Sequence, residues 1–340
     1  MNKLTYRLLW IILITLTKTV FTFAQKNPQW VVYQGSEGAG KGKHIVFVSG
    51  DEEYRSEEGL PMMAKILAER HGFKCTVLFA LDPKTNTIDP DNQTNIPGLE
   101  QLKTADLMFM FLRFRELPDE QMKHIIDYTN SGKPIVALRT STHAFSYSRN
   151  KQNPYAKYSY NSKIKGWEGG YGKQVFGETW INHHGIHAKE GTRALANGLQ
   201  KNHPILRGVK DIWAPTDVYG ILGLPSDAEV LMFGQTTLGM TASSPLSYEK
   251  SIMPVAWIRS YSALNGKKSR IFTTTLGASI DLISEDLRRL LVNACYWAVN
   301  LESQIPEQAN VQYVGEYQPT MFGFGKYQRG LSPSTFEWNK

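Results

Sequence analysis

Histidines concentrate in one short stretch of this sequence, residues 178–187 (ETWINHHGIH). Three of the eight histidines, His183, His184 and His187, fall within five positions. Imidazole nitrogens bind Zn²⁺ and other transition metals, and they also exchange protons near neutral pH. In an extended strand, residues two or four apart share one face. A strand here would therefore place His183 and His187 side by side and turn His184 to the opposite face.

Three interpretations of this stretch stay open. The three histidines could hold a divalent metal, Zn or Mn, with Glu178 as a further ligand or base. His184 and Glu178 could instead transfer protons without a metal, or the imidazoles could satisfy backbone groups of a polar loop. The spacing is not HExxH, because no glutamate stands between the histidines to act as base. We take His184 and Glu178 as candidate catalytic residues, and His183, His184 and His187 as candidate metal ligands.

Polar residues also follow apolar runs at three earlier points of the chain. They are Asp51 and Glu52 after residues 44–50, Arg113 after residues 106–112, and Arg139 and His143 after residues 134–138. Ligands of open parallel sheets bind outside the carboxyl ends of the strands, so we expect these side chains to converge on one rim. The two acids and the two arginines would bind substrate hydroxyls or carboxylates, and His143 would transfer protons. The alternative is that loops after strands are polar simply because they lie at the surface.

A carboxylate stands among aromatic residues at 213–219 (WAPTDVY). Aromatic ring faces and a carboxylate suit a sugar, which offers both an apolar ring face and hydroxyl groups. Asp217 is accordingly a candidate catalytic residue, and Tyr219 and Trp180 are candidate substrate-binding residues. The alternative is ordinary packing of aromatic side chains around a turn that contains proline.

Motifs of several large enzyme classes are absent from the sequence. No GxGxxG follows the first apolar run, and the chain has neither a P-loop nor a GxSxG elbow. A dinucleotide site of the Rossmann type is therefore not expected. Ser141 beside His143 is a conceivable nucleophile and base, but a spacing of two residues does not by itself indicate a hydrogen bond.

The elements that must position these residues alternate along the first half of the chain. Short apolar runs predict buried strands at residues 44–50, 73–80, 106–112 and 134–138. Helical spacing predicts helices at 57–71 and 118–130, and later strands and a helix at 229–233, 253–259, 270–275 and 285–300. Continuous apolar strands that alternate with helices are typical of an α/β fold. Its sheet would be mostly parallel, with helices on both faces.

One α/β domain should extend over about residues 40–301. Within it, residues 144–168 are rich in Tyr, Asn, Lys and Ser, which predicts a surface insertion at the mouth of the sheet. Residues 302–340 hold Pro, Gly and aromatics without a period, which predicts a C-terminal extension that wraps the surface.

Composition excludes several classes of protein. The chain has 340 residues, of which 41% are hydrophobic and 20% charged, so it is not a disordered chain, a coiled coil or a multi-span membrane protein. Its two cysteines are too few for a disulfide scaffold. The formal net charge is +7, with three of the basic residues in the first 25 positions. No block of Lys and Arg is present, so we do not expect nucleic acid as a partner.

The first 24 residues have the pattern of a secretory signal peptide. A basic start precedes an apolar run from Leu8 to Leu16, and small residues end the segment at Ala24. Lys18 interrupts the apolar stretch, so it is short for a transmembrane helix. We predict an exported protein, periplasmic or extracellular, with no membrane span after cleavage. The alternative is an uncleaved membrane anchor.

The chain resembles the trehalose-utilisation (ThuA-like) family, in the glutamine-amidotransferase-like superfamily, over about residues 43–300. The segments that carry the resemblance are IVFVSGDEEYRSEEGLP, IVALRTSTHAF, HPILRGV, PTDVYG and RIFTTTLGAS. His143 matches a histidine that commonly follows the fourth strand in the family, and Asp217 and Tyr219 match its DExY motif, with Val218 in place of Glu. Ala278 stands where the family usually has a late histidine, which indicates a divergent, exported subgroup.

The resemblance implies a flavodoxin-like fold and a link to carbohydrate catabolism. The superfamily carries a nucleophilic cysteine after the fourth strand, where this chain has Arg139-Thr140-Ser141. Glutamine amidotransferase activity is therefore not expected.

The sequence favours an enzyme that acts on a glycoside or an oxidised sugar, with metal assistance as one option, because the polar groups expected to converge are titratable. One alternative is a non-catalytic sugar-binding or glycan-binding module of the cell envelope. Another is an envelope protein that binds partners through its aromatic tail.

Overall fold

The computed structural model describes residues 28–338, so the signal peptide predicted at 1–24 lies outside the described residues. One sheet of ten strands dominates the fold, in the order β1-β3-β2-β4-β5-β10-β9-β8-β6-β7. The strands are β1 (Trp30–Tyr33), β2 (His44–Gly50), β3 (Lys74–Phe79), β4 (Leu107–Leu112), β5 (Ile135–Leu138), β6 (Gly191–Ala196), β7 (Ile212–Ala214), β8 (Glu229–Thr237), β9 (Met253–Ser262) and β10 (Lys268–Thr274).

Helices cover both faces of this sheet, so the mixed α/β architecture is confirmed. The helices are α1 (Ser56–His71), α2 (Asp119–Asn130) and α3 (Glu285–Ala298). Leucines of α1 and α3 pack on one face beside Phe47, and Met122 of α2 packs on the other beside Val48. Every residue of β2, β4 and β5 is buried, which explains their continuous apolar sequences. In residues 28–338, no helical stretch combines the length and hydropathy that a bilayer span requires.

The prediction of a mostly parallel sheet holds only for the middle of the sheet and is wrong for both sides. Strands β3, β2, β4, β5 and β10 are parallel to one another. Strand β1 pairs antiparallel with β3, and β9, β8, β6 and β7 continue the sheet in antiparallel pairs. A hairpin at residues 263–267, closed by Ala263 N–H bonding Lys267 O at 2.9 Å, joins β9 to β10. Parallel strands need a far longer crossover, so so short a connection forces an antiparallel pair.

The C-terminal extension, residues 302–338 of the described chain, runs along α1 to the carboxyl end of β2. The backbone N–H of Gly323 bonds Glu53 O at 2.8 Å, and the Arg55 guanidinium bonds Gly323 O at 2.7 Å. These bonds hold Phe322 and Phe324 beside the rim where the parallel strands end. Strand β1 likewise shows that the sheet begins before residue 40.

Candidate functional site

A cavity of about 180 Å³, which we call the histidine cavity, opens where β2, β4 and β5 end. Its lining residues are Glu53, Arg113, Phe114, His143, Trp180, His183, His187, Tyr219 and Phe324. The first four follow the central parallel strands, and Phe324 comes from the C-terminal extension. The rim expected from strand polarity is therefore present, and it carries titratable groups among aromatic rings.

An extended segment brings the histidine stretch against the segment that carries Asp217. His183 forms an antiparallel bridge with Tyr219, and the N–H groups of His184 and Gly185 bond Val218 O at 2.8 and 3.0 Å. A Cβ on Gly185 would lie 2.9 Å from the Asp217 Cβ, so glycine permits this close approach. The result is that His183 and His187 face the cavity, as the strand periodicity predicted.

Asp217 is the centre of the cluster and is fully buried. Its Oδ2 lies 2.6 Å from His183 Nδ1, and its Oδ1 lies 3.3 Å from His187 Nδ1 and 3.1 Å from an Arg139 guanidinium nitrogen. Burial alone would raise the pKa of Asp217, but the hydrogen bonds from both histidines and the charge of Arg139 outweigh it and hold the pKa well below its ordinary value. Asp217 is therefore a permanent anion that orients two imidazoles.

His187 lies between two carboxylates. Its Nδ1 faces Asp217, and its Nε2 lies 3.2 Å from Glu53 Oε1. The hydrogen bonds to Asp217 and Glu53 raise the pKa of His187 to about 9, against the opposing effect of partial burial. His187 is consequently an imidazolium at neutral pH, with both nitrogens acting as donors.

The replacement Glu53→Gln should return the pKa of His187 from about 9 toward its ordinary 6.5, because one of its two anionic partners is lost. The ion cluster stabilises the native state fully below pH 6.5, and this stabilisation is lost as the pH rises through 9. Proton NMR titration of the His187 ring, in protein treated with EDTA, measures both variants. The exposed Glu37→Gln should leave the titration unchanged. A wild-type midpoint near 6.5 would contradict the bridged arrangement.

His183 differs from His187 in that only one of its ring nitrogens meets a carboxylate. Its Nδ1–H donates to Asp217, which fixes the tautomer and leaves the Nε2 lone pair of the neutral ring as a proton acceptor. About a third of the His183 side chain is exposed, and it lines the cavity. The pair has the geometry of an imidazole base oriented by a buried carboxylate.

His143 forms the inner wall of the cavity beside the rings of Phe114 and Trp180, at centroid distances of 5.0 and 5.6 Å. Burial, followed by the charges of Arg113 and Arg139, holds the pKa of His143 well below its ordinary value. Its imidazole is therefore neutral, and Nδ1 lies 3.2 Å from Thr142 Oγ1. The structure thus brings this predicted catalytic residue to the cavity wall.

Arg139 occupies the sharp turn after β5, with a positive φ of 38° that is rare for a residue with a side chain. Its fully buried guanidinium lies between the rings of Tyr54 and Tyr219, 4.1 and 4.4 Å from their centroids, and pairs with Asp217. Arg139, predicted to bind substrate, is therefore placed beneath the cavity, where it positions the carboxylate.

Asp51 and Glu52 also lie behind the cavity lining. Asp51 accepts the N–H groups of Glu53 and Tyr54, both at 2.7 Å, and the Thr140 hydroxyl. Glu52 pairs with Arg113, which lines the cavity, and its other oxygen lies 2.9 Å from the buried Arg115. Both acids thus act on the cavity through the residues they hold.

Two candidate catalytic residues lie outside the cavity lining. Glu178 accepts the Lys173 ammonium at 2.9 Å and the Gly223 N–H at 2.8 Å. His184 points to the opposite face of its segment, with Nε2 2.8 Å from Ser251 O. We therefore carry neither residue into the chemistry proposed below. Glu53 and Phe324, which sequence reasoning did not select, line the cavity instead.

The same cluster offers ligands for a metal ion. One ligand atom each of His183, His187 and Asp217 lie within 4.8 Å of one another. Two imidazoles and a carboxylate with an open fourth position suit Zn²⁺, whereas His184 is turned away from this set. A bound cation would take the place of the protons that these groups now share.

No family model matches the sequence, and no curated protein matches it. Two solved structures described as ThuA-like are similar in fold. One, from Parabacteroides merdae, has a TM-score of 0.50 at 14% identity and covers 87% of this chain and 99% of its own. The other, from Bacteroides uniformis, has a TM-score of 0.45 at 14% identity and covers 78% and 95%. Across most of its length, the chain therefore shares the fold of the Parabacteroides merdae protein.

Proposed function

We propose that this protein is a distant, exported member of the ThuA-like family and an enzyme of carbohydrate catabolism, acting on a glycoside or an oxidised sugar. The observation that carries the proposal is Asp217, one buried carboxylate that holds two histidines in different protonation roles at one cavity. Active sites commonly separate an acid from a base by giving like groups different environments.

The two histidines would act on opposite charges in one proton transfer. The His183 Nε2 lone pair would take a proton from a sugar hydroxyl, or from the carbon beside a keto group. The His187 imidazolium would stabilise the oxyanion that develops. Asp217 would stay ionised throughout and stabilise the His183 imidazolium formed in the step, which then returns the proton to the product.

The lining of the cavity supports a sugar as substrate. Trp180, Phe114 and Phe324 offer apolar ring faces, while Arg113 and Glu53 offer a donor and an acceptor for hydroxyl groups. The volume of about 180 Å³ is below the roughly 300–1,000 Å³ usual for drug-sized ligands, so one sugar ring fits better than an extended glycan.

Two other readings make different demands on the same residues. In a metal-assisted enzyme, Zn or Mn would bind His183, His187 and Asp217 and polarise a substrate oxygen. Elemental analysis of untagged protein would then find about one equivalent, lost in His187→Ala. Glutamine hydrolysis is not supported, because a buried arginine paired to Asp217 occupies the turn where the superfamily carries its cysteine. A glycan-binding module would bind sugar at this cavity without turnover.

Removing the Phe324 ring should weaken sugar binding by about three- to ten-fold, because an aromatic contact contributes roughly 0.5–1.5 kcal/mol. Phe324 is 60% exposed in the free protein and packs on the Arg113 guanidinium, so Phe324→Ala leaves the core intact. Isothermal titration calorimetry with glucose, trehalose and glucuronate measures the effect. Met321→Ala, in the same segment and 49% exposed, should bind like the wild type. Equal affinities for all three proteins would remove the stacking role of Phe324.

A further inference from the structure

A second cavity lies between α1 and the C-terminal extension, and we call it the extension cavity. It measures about 290 Å³ and shares no lining residue with the histidine cavity. Three carboxyl side chains line it, Glu57, Glu58 and Glu316, together with the rings of Tyr317 and Phe336. No lysine, arginine or histidine is among its lining residues in the described chain. The extension cavity is therefore acidic and partly aromatic.

Glu57 is the unusual group of this cavity. Its side chain is only 3% exposed, and neither carboxyl oxygen has a hydrogen-bond partner among the described residues. A buried polar group left without a partner costs roughly 1–3 kcal/mol, and more if it is charged. Such a group in a native fold calls for a donor that the chain does not itself supply.

The walls around Glu57 are fixed by contacts of the extension. Glu58 accepts both the N–H and the hydroxyl of Thr320, at 2.8 and 2.6 Å. The Tyr317 hydroxyl bonds Ser279 O at 2.7 Å, and the Phe336 ring stacks on Phe79 with centroids 5.6 Å apart. The extension cavity is thus a built feature, with its neighbouring carboxylate already satisfied and only Glu57 left open.

We propose that the extension cavity binds a small organic cation with a primary ammonium group, which donates hydrogen bonds to the Glu57 carboxylate. An ammonium supplies both the donors and the positive charge that Glu57 lacks. The alkyl chain of such a ligand would pack on the rings of Tyr317 and Phe336. This site does not depend on the chemistry proposed for the histidine cavity.

Binding should be coupled to the ionisation of Glu57. Burial raises the pKa of Glu57 to about 8, so its carboxyl is neutral at pH 7 and must lose a proton to pair with a cation. The charged and titratable groups that face it are Glu58, Arg55, Asp51, Glu316 and Tyr317. Affinity for an ammonium ligand should therefore rise between pH 6 and pH 8, with release of up to one proton per ligand at pH 7.

Calorimetry with putrescine as the probe, and choline as a cation that cannot donate hydrogen bonds from nitrogen, tests this site. We expect putrescine to bind the wild type, and Glu57→Gln or the choline comparison to weaken binding about ten-fold or more. Glu100→Gln, at an exposed position, should bind putrescine like the wild type. Glutamine mimics the neutral acid, so Glu57→Gln should keep the wild-type melting temperature at pH 7.

Three outcomes would overturn the proposal. They are the absence of heat with millimolar putrescine at pH 8, equal affinity of Glu57→Gln and the wild type, and identical heats at pH 7 in buffers of different ionisation enthalpy. The last would show that no proton leaves on binding. None of these results bears on the histidine cavity, so failure here leaves the proposed sugar chemistry standing.

Discussion

Replacing His183 with alanine is expected to lower turnover of the sugar substrate by about 10²–10⁴-fold, the usual contribution of a general base. The loss should fall on kcat rather than KM, because His183 acts on the proton that moves in the reaction. The fold should survive, since the side chain is about a third exposed and Asp217 keeps Arg139 and His187 as partners. Steady-state kinetics together with a thermal melt measures both effects.

His184→Ala is the matched control for this prediction. His184 is the neighbouring histidine, but its ring bonds Ser251 O and does not line the histidine cavity. Its removal should change kcat by no more than a few fold. The reverse pattern, with His184 essential and His183 dispensable, would show that the chemistry takes place elsewhere.

Replacing Arg139 with methionine is expected to lower the free energy of unfolding by about 3–5 kcal/mol, because breaking a buried ion pair leaves its partner charge without compensation. Arg139 also donates to Thr216 Oγ1 and Thr275 O and lies between two tyrosine rings, so several contacts are lost together. Urea denaturation of the two proteins measures the difference.

Arg193→Met is the matched control for this stability prediction. Arg193 pairs with Asp211, whose side chain is 55% exposed, and surface pairs of this kind contribute at most about 1 kcal/mol. A loss for Arg139→Met as small as that for Arg193→Met would show that the pair with Asp217 does not hold the site together.

Much of the fold could be predicted from the sequence where burial determines residue type. Strands β2, β4 and β5 are buried on both faces, so their uninterrupted apolar runs identify them. Strands β6 and β7 escaped prediction, because they are short and β6 ends in exposed residues with no clear alternation. Neither is joined by a helical crossover, so the antiparallel side of the sheet gave no α/β pattern to recognise.

The candidate site could be predicted to the level of a rim, but not to the level of individual atoms. Parallel topology places the residues after β2, β4 and β5 together whatever the loops do. Which of three consecutive acids faces the cavity depends on turn geometry, and here Asp51 caps the turn while Glu53 reaches His187. Phe324 arrives from the C-terminal extension, far away in sequence, so no local pattern could connect it with the histidines.

The central claim is that the histidine cavity turns over a sugar by proton transfer. Proton NMR of the wild-type protein, incubated with a panel of glycosides, keto sugars and uronates, tests it most directly. The account predicts that at least one compound is consumed by the wild type and by His184→Ala, but not by His183→Ala. Binding of sugars at this cavity with no compound consumed by the wild type would contradict it and would identify a glycan-binding module instead.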